Sequence, residues 1–296
     1  MATTVQTEKI GKLGFGYMRL PRLTGGGVDF DQVNKMVDAF LESGGTYFDT
    51  AYVYGDSEDA MGKTLIKRHP RESYQIATKL PVGMVNKDRP KEHFIEESLK
   101  RLGTDYLDFY LLHGINAEGS KEAEEKGLWD FLKELKAKGT IRHIAFSFHG
   151  HPNDLHEILT KHPETEMVMP QLNYDDWEKP KVKAKRMYEI LREHNIPTVA
   201  MEPLLGGKLA STDSPIVEIF KAVNPDVSVA SWALRFIAQQ EGIFVTLSGM
   251  STIDQMMDNI KTFSDLKPLS AKESTAAKKI FFFVNLLRGI FWTHSL

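Results

Sequence analysis

A chain of 296 residues exceeds an average domain, yet barrels of alternating strands and helices often use ~250 residues as one unit. Its formal net charge of −3 gives no reason to expect nucleic acid or an anionic membrane as partner. It has no cysteine, which excludes disulfides, thiol catalysis and cysteine-held metal clusters. The amino terminus, M-A-T-T-V-Q-T-E-K, lacks the charged-then-apolar layout of a signal peptide, and no apolar run approaches the ~20 residues that span a bilayer. The expected location is cytoplasmic.

In chain order, Lys12–Gly16 is a short strand leading into G-Y-M-R-L-P, and Gly25–Gly27 is a turn. Asp29 and Asp31 are candidate caps of a helix to about Ser43, with Val33, Met36, Val37 and Phe40 on one face. Gly44–Gly45 ends it, and an apolar run follows to Asp49. Tyr52 and Tyr54 sit on the next loop, a helix runs from about Glu58 to Lys67, and a strand spans Tyr74–Lys79. Pro90 opens a helix to Leu102, with Gly103 just past its end, and Tyr106–His113 is a strand apolar enough to be buried on both faces. Leu128–Lys138 is helical, Ile141–Phe148 a strand, Pro152–Lys161 a helix and Glu166–Gln171 a strand. A helix over Lys179–His194 and a strand over Pro197–Met201 precede the glycine-bearing loop P-L-L-G-G-K-L and a variable stretch. Val227–Gln240 is a helix, Ile243–Ser248 a strand and Thr252–Phe263 a helix.

Eight strands, each followed by a helix, predict an α/β fold, a (β/α)8 TIM barrel, over a parallel sheet with right-handed crossovers. No linker divides it, so residues 1–265 form one domain and residues 266–296 a helical, apolar tail. The stretch Lys278–Leu296 is expected to pack on the barrel exterior, or else to act as a flap or a subunit contact.

Three strands end on chemistry: Asp49, Lys79 and His113, with the loop phenol of Tyr54 within reach. Barrel closure brings such ends to one rim, where barrels carry their active sites. A phenol with an ordinary pKa near ~10 is a poor acid–base catalyst at neutral pH; a lysine ammonium beside it lowers that value, and a carboxylate keeps the lysine charged. An imidazole can orient a carbonyl oxygen on which negative charge develops. This set suits protonation of an alkoxide while hydride arrives at carbon, and a protein without a redox group needs a nicotinamide cofactor for that.

The ordered motifs G-x-x-Y-F-D-T-A-x-x-Y-G-x-S-E, the strand-ending lysine, L-L-H and G-T-I-R-x-I-A-F-S together resemble the aldo-keto reductases up to about Phe263. The resemblance implies Asp49, Tyr54, Lys79 and His113 as the catalytic tetrad, with Tyr54 the proton donor, and NAD(P)H lying across the barrel top without a Rossmann domain. It also implies Gly16, Tyr17 and Met18 after the first strand as cofactor neighbours, Ser147 and Gln171 at the nicotinamide carboxamide, and Met201 where many members stack an aromatic residue. Phe148 stands where many carry asparagine. Pro203, Leu204, Gly206 and Lys208 match the segment covering the pyrophosphate, where Gly206 and Gly207 would offer backbone N–H groups. Ser248, Gly249, Met250, Ser251, Gln255, Asp258 and Asn259 match the adenosine end. A lysine near Gly249 and an arginine near Gln255, usual in NADPH-preferring members, are missing; NADP(H) is nonetheless favoured over NAD(H) on the family's habit.

F-S-F-H-G and M-E-P-L-L-G-G-K-L look most like a prokaryotic branch that often carries a cysteine-rich ferredoxin-like extension, absent here. The apolar tail then implies self-association as a homo-oligomer. The expected partner is a small-molecule carbonyl substrate, with no nucleic acid, membrane or metal. Tyr52 is expected to pack, His149 to line the pocket or cap its loop, Glu202 to be structural, and Asp105 and Asp108 to be surface or turn residues. The segments expected to shape the substrate pocket are the variable loops Gly83–Arg89, Ile115–Gly127 and Tyr174–Pro180, and the tail. The alternatives are a cofactor-binding regulatory subunit with little turnover, and a barrel lyase or isomerase.

Overall fold

The computed structural model describes residues 9–179, 182–211 and 216–277. Eight parallel strands close on themselves in sequence order: β1 (Leu13–Gly16), β2 (Tyr47–Asp49), β3 (Gln75–Pro81), β4 (Leu107–Ile115), β5 (Ile141–Phe148), β6 (Met167–Pro170), β7 (Thr198–Ala200) and β8 (Ile243–Ser248). This is the (β/α)8 barrel. Around it lie α1 (Phe30–Glu42), α2 (Ser57–Met61), α3 (Lys91–Leu102), α4 (Ala117–Glu125), α5 (Leu128–Ala137), α6 (Pro152–Lys161), α7 (Ala184–Glu193), α8 (Ile216–Val223), α9 (Val229–Ala238) and α10 (Ile253–Ser264).

Side chains alternate across a strand, so each β-strand feeds two cores. Inward positions such as Tyr47, Ala77, Phe109, Leu111, Ala145, Met169 and Val245 fill the barrel. Outward ones such as Phe15, Phe48, Ile76, Tyr110 and Leu112 pack under the helices. A third cluster joins Tyr174, Phe220, Trp232, Leu269 and Ala276 beside the loop that follows β7.

Caps explain several helix boundaries. The Asp29 carboxylate accepts from the Gln32 N–H at 3.0 Å, which settles the start of α1 on Asp29. Gly103 ends α3 in the left-handed region, at φ 75°.

Three expectations are corrected, and one stretch to which the sequence assigns no element holds a helix. Ile115–Gly127 is not a loop, because Asn116 caps α4 by accepting from the Gly119 N–H at 2.8 Å. The variable stretch contains α8. The helix expected from Lys179 begins at Ala184, since Asn173 and Asp176 hold the preceding chain in a turn: the Asp176 N–H donates to Asn173 Oδ1, and Asn173 Nδ2 returns a hydrogen bond to Asp176 Oδ2, both at 2.8 Å. Asp108 is not at the surface; it is fully buried, accepting from Arg71 at 2.5 Å, Arg142 at 2.9 Å and the Ile76 N–H at 2.9 Å. The stretch 278–296, and with it the expected tail-mediated oligomer, lies outside the described residues. Among those described, no helix is long and apolar enough to cross a membrane.

Candidate active site

Three neighbouring strands place chemistry at inward positions near their carboxyl ends. On β2 the inward residues are Tyr47 and then Asp49, on β3 Ala77 and then Lys79, and on β4 Phe109, Leu111 and then His113. The apolar layer therefore ends where the charged one begins, at the carboxyl rim of the barrel. Lys79 Nζ donates to Asp49 Oδ1 and to the Thr50 carbonyl, each at 2.6 Å, with Lys79 only 1% exposed. The Tyr54 ring lies with its centroid 5.1 Å from Lys79 Nζ. It meets the His113 ring edge-on, 5.8 Å between centroids.

Burial presses the Lys79 pKa down, but the Asp49 carboxylate and the Tyr54 phenol outweigh it, so the ammonium stays charged above its ordinary value. Burial also draws Asp49 upward, against the charge and hydrogen bond of Lys79. For Tyr54 the outcome differs from the sequence expectation. Desolvation raises its pKa above 10.0 and outweighs the charge and hydrogen bond of Lys79, which lower it. The phenol is thus firmly protonated at neutral pH. His113 is pushed down to about 3 by burial, with Lys79 and His149 adding to it, so its imidazole is neutral. His149 is lowered for the same reasons, burial first and then Lys79.

A cavity of about 350 Å³ opens beside this cluster, a size ordinary for small-molecule sites. Asp49 and Tyr54 line one part of it, and Asp258 and Asn259 another. Of the residues singled out from sequence, Gly16, Met18, Met201, Pro203, Leu204, Gly206, Ser248, Gly249, Met250, Ser251 and Gln255 line it too. Tyr17 does not: its ring follows Phe15 to the outer face, 1% exposed, where its hydroxyl meets Thr64 Oγ1 at 3.1 Å. Ser147 and Gln171 are engaged within the protein instead. Ser147 Oγ accepts from the Gly114 N–H at 2.8 Å, and Gln171 Nε2 donates to Asp176 at 2.7 Å. Lys208 is exposed on the β7 loop outside the lining. The N–H of Gly207 is likewise committed, to the Leu204 carbonyl at 3.0 Å.

Sequence reasoning missed Arg19, which lines the cavity from the turn after β1, and underrated Glu202, which lines it from the β7 loop. The signal for Arg19 was its place in G-Y-M-R-L-P, directly after a strand end. Glu202 sits at φ 54°, a left-handed backbone that a glutamate adopts only when its surroundings impose it. Tyr52 packs as expected, edge-on to Phe94 at 4.9 Å and under the Arg101 guanidinium at 4.3 Å.

The site has features that suit a dinucleotide. Asp49 Oδ2 is buried without a hydrogen-bond partner among the described residues, an acceptor at the cavity wall that a sugar hydroxyl would satisfy. Gly206 leaves its part of the wall without a side chain.

Residues 12–281 match the aldo/keto reductase family model. An uncharacterized oxidoreductase, YqkF of Bacillus subtilis, is 26% identical, covering 85% of this chain and 87% of its own. Aldo-keto reductase str7 of Strobilurus tenacellus is 30% identical, covering 80% and 74%. Among solved structures, the holo form of aldo-keto reductase AKR11C1 from Bacillus halodurans superposes with a TM-score of 0.73 at 24% identity, covering 94% of each chain. An aldo-keto reductase from Klebsiella pneumoniae in complex with NADPH does so with a TM-score of 0.74 at 21% identity, covering 92% of this chain and 91% of its own.

Proposed function

The chain belongs to the aldo/keto reductase family, and on that premise we propose that it is a nicotinamide-dependent carbonyl reductase in which Tyr54 is the proton donor, with NADP(H) favoured over NAD(H). The preference draws on the NADP and NADPH in the Klebsiella pneumoniae structures. The observation that carries the catalytic reading is a phenol kept protonated by burial beside an ammonium kept charged by Asp49.

A nicotinamide held in the cavity would supply the hydride equivalent for the carbonyl carbon. The protein's part is the proton. His113, neutral, donates a hydrogen bond to the carbonyl oxygen and fixes the substrate near Tyr54. As the oxygen becomes an alkoxide, Tyr54 gives it the hydroxyl proton. The charge left on the phenolate falls beside Lys79, whose attraction grows as that charge develops. Asp49 holds Lys79 in place. A high resting pKa on Tyr54 therefore serves the reductive direction, where the acid must enter the step protonated.

Titration of the protein with NADPH and NADH, followed by a panel of aldehydes and ketones, tests the assignment. Saturable binding with carbonyl-dependent oxidation of the dinucleotide is expected. Tight binding with no turnover across the panel would point to the regulatory-subunit alternative, and absence of binding would overturn the assignment.

A further inference from the structure

The cavity wall is unbalanced in charge. Asp49, Glu202 and Asp258 line it, whereas Arg19 is the one lysine or arginine among its described lining residues. Asp49 is already matched by Lys79, and Asp258 accepts from the Ser228 hydroxyl at 2.6 Å. A diphosphate laid along this cavity would need a cation.

Arg19 comes from beyond β1 and Glu202 from beyond β7, the two strands that flank β8, so the pair reaches over the β8 end from opposite sides. Arg19 Nη2 lies 3.9 Å from Glu202 Oε1, beyond hydrogen-bond distance. The two side chains are 49% and 35% exposed, and an ion pair so placed and so long is weak. The contacts below the arginine are specific. A Cβ on Gly249 would meet Arg19 Cδ at 3.7 Å, and one on Gly206 would meet Nη2 at 3.5 Å. The stem thus crosses one position without a side chain and the guanidinium rests over another. Ser251 Oγ donates to the Arg19 carbonyl at 2.7 Å and anchors its backbone to the β8 loop.

We propose, on the dinucleotide reading above, that Arg19 is the residue that grips the cofactor's diphosphate, and that Glu202 holds its place until the anion arrives. A guanidinium forms two parallel hydrogen bonds to a phosphate, a stronger arrangement than the loose pair it gives up. The N–H of Gly207 is spent within its own turn, so the loop backbone has less to offer the phosphates and the arginine more to do.

Fluorescence titrations with NADPH, NADH, ADP-ribose and adenosine 2′-monophosphate, on wild type, Arg19→Gln, Glu202→Gln and Lys208→Gln, test this without relying on turnover. Arg19→Gln is expected to weaken NADPH, NADH and ADP-ribose by a similar factor, about tenfold or more, and to leave adenosine 2′-monophosphate unchanged. Glu202→Gln is expected to tighten the three diphosphates, because the competing carboxylate is gone. An arginine that merely braces the loop would instead make both variants weaker. The proposal is overturned if wild type binds and Arg19→Gln binds equally well, if Glu202→Gln fails to tighten binding, or if Lys208→Gln alone carries the loss. A wild type that binds neither dinucleotide would remove the functional reading itself, and this inference with it.

Discussion

Lys79 shows how one side chain is fixed by its neighbours. It is an ammonium in the barrel interior that is tolerable only because Asp49 and the Thr50 carbonyl each take a short hydrogen bond from it. Lys79→Met strands a buried carboxylate, and we expect a loss of ~3–5 kcal/mol in urea unfolding. A loss within a few tenths of a kcal/mol would mean that the pair is not buried as described. His113 gives a second prediction. Its folded pKa, about 3, lies below the ordinary value of 6.5, so below pH ~6.5 the unfolded chain binds a proton that the folded chain refuses. His113 therefore contributes stability that is whole above pH ~6.5 and declines as pH falls toward 3. In unfolding measured across that window, His113→Gln is expected to show a shallower acid slope than wild type; an identical slope would refute the burial of this imidazole. That Asp49, Tyr54, Lys79 and His113 come together was legible, because three of them end short apolar strands and Tyr54 follows one closely. The electrostatic balance was not: whether burial or the ammonium governs Tyr54 depends on how much water the fold removes, which no motif records.

At the scale of elements, legibility followed apolar periodicity. The bounds of β5, α6 and β8 match the sequence reading because their apolar patterns and flanking turns are plain. The helix α4, A-E-G-S-K-E-A-E-E, has only Ser120 and Ala123 buried and so presents no apolar stripe to find. The segment predicted as one helix from Glu58 to Lys67 is α2 followed by a π-helical turn over Gly62–Ile66. Gly62 explains the close fit here: a Cβ would stand 2.6 Å from the Arg101 carbonyl oxygen and 2.7 Å from that of Leu102. Gly62→Ala must push α3 away, and since Arg101 of that helix binds Glu58 at 3.2 Å, the loop bearing Tyr54 moves with it. Chemical denaturation is expected to show a cost of ~1–3 kcal/mol, and an unchanged midpoint would deny the contact.

Across the whole molecule, the barrel joins residues that the chain keeps far apart, and it does so with two cores of different kinds. The inner core is stacked below the reacting groups, while the outer core fastens helices to strands. The loop after β7 meets the inner core through Met201, its first residue. Leu204 and Leu209 pack into the third cluster, which α8, α9 and the segment near Leu269 and Ala276 complete. Arg235 pins that segment by gripping Glu273 at 2.8 and 3.0 Å. This arrangement was not legible from the motifs, because it depends on contacts between stretches with no shared pattern. It gives the loop that borders the cavity a support apart from the strand ends that carry Asp49, Lys79 and His113.

The central claim, that Tyr54 supplies the proton and takes no large part in holding the cofactor, is tested most directly by measuring NADPH affinity and carbonyl turnover in Tyr54→Phe beside wild type. The account predicts a dissociation constant within about threefold of wild type and turnover lower by a factor on the order of 10²–10⁴. Turnover that survives the substitution would contradict it.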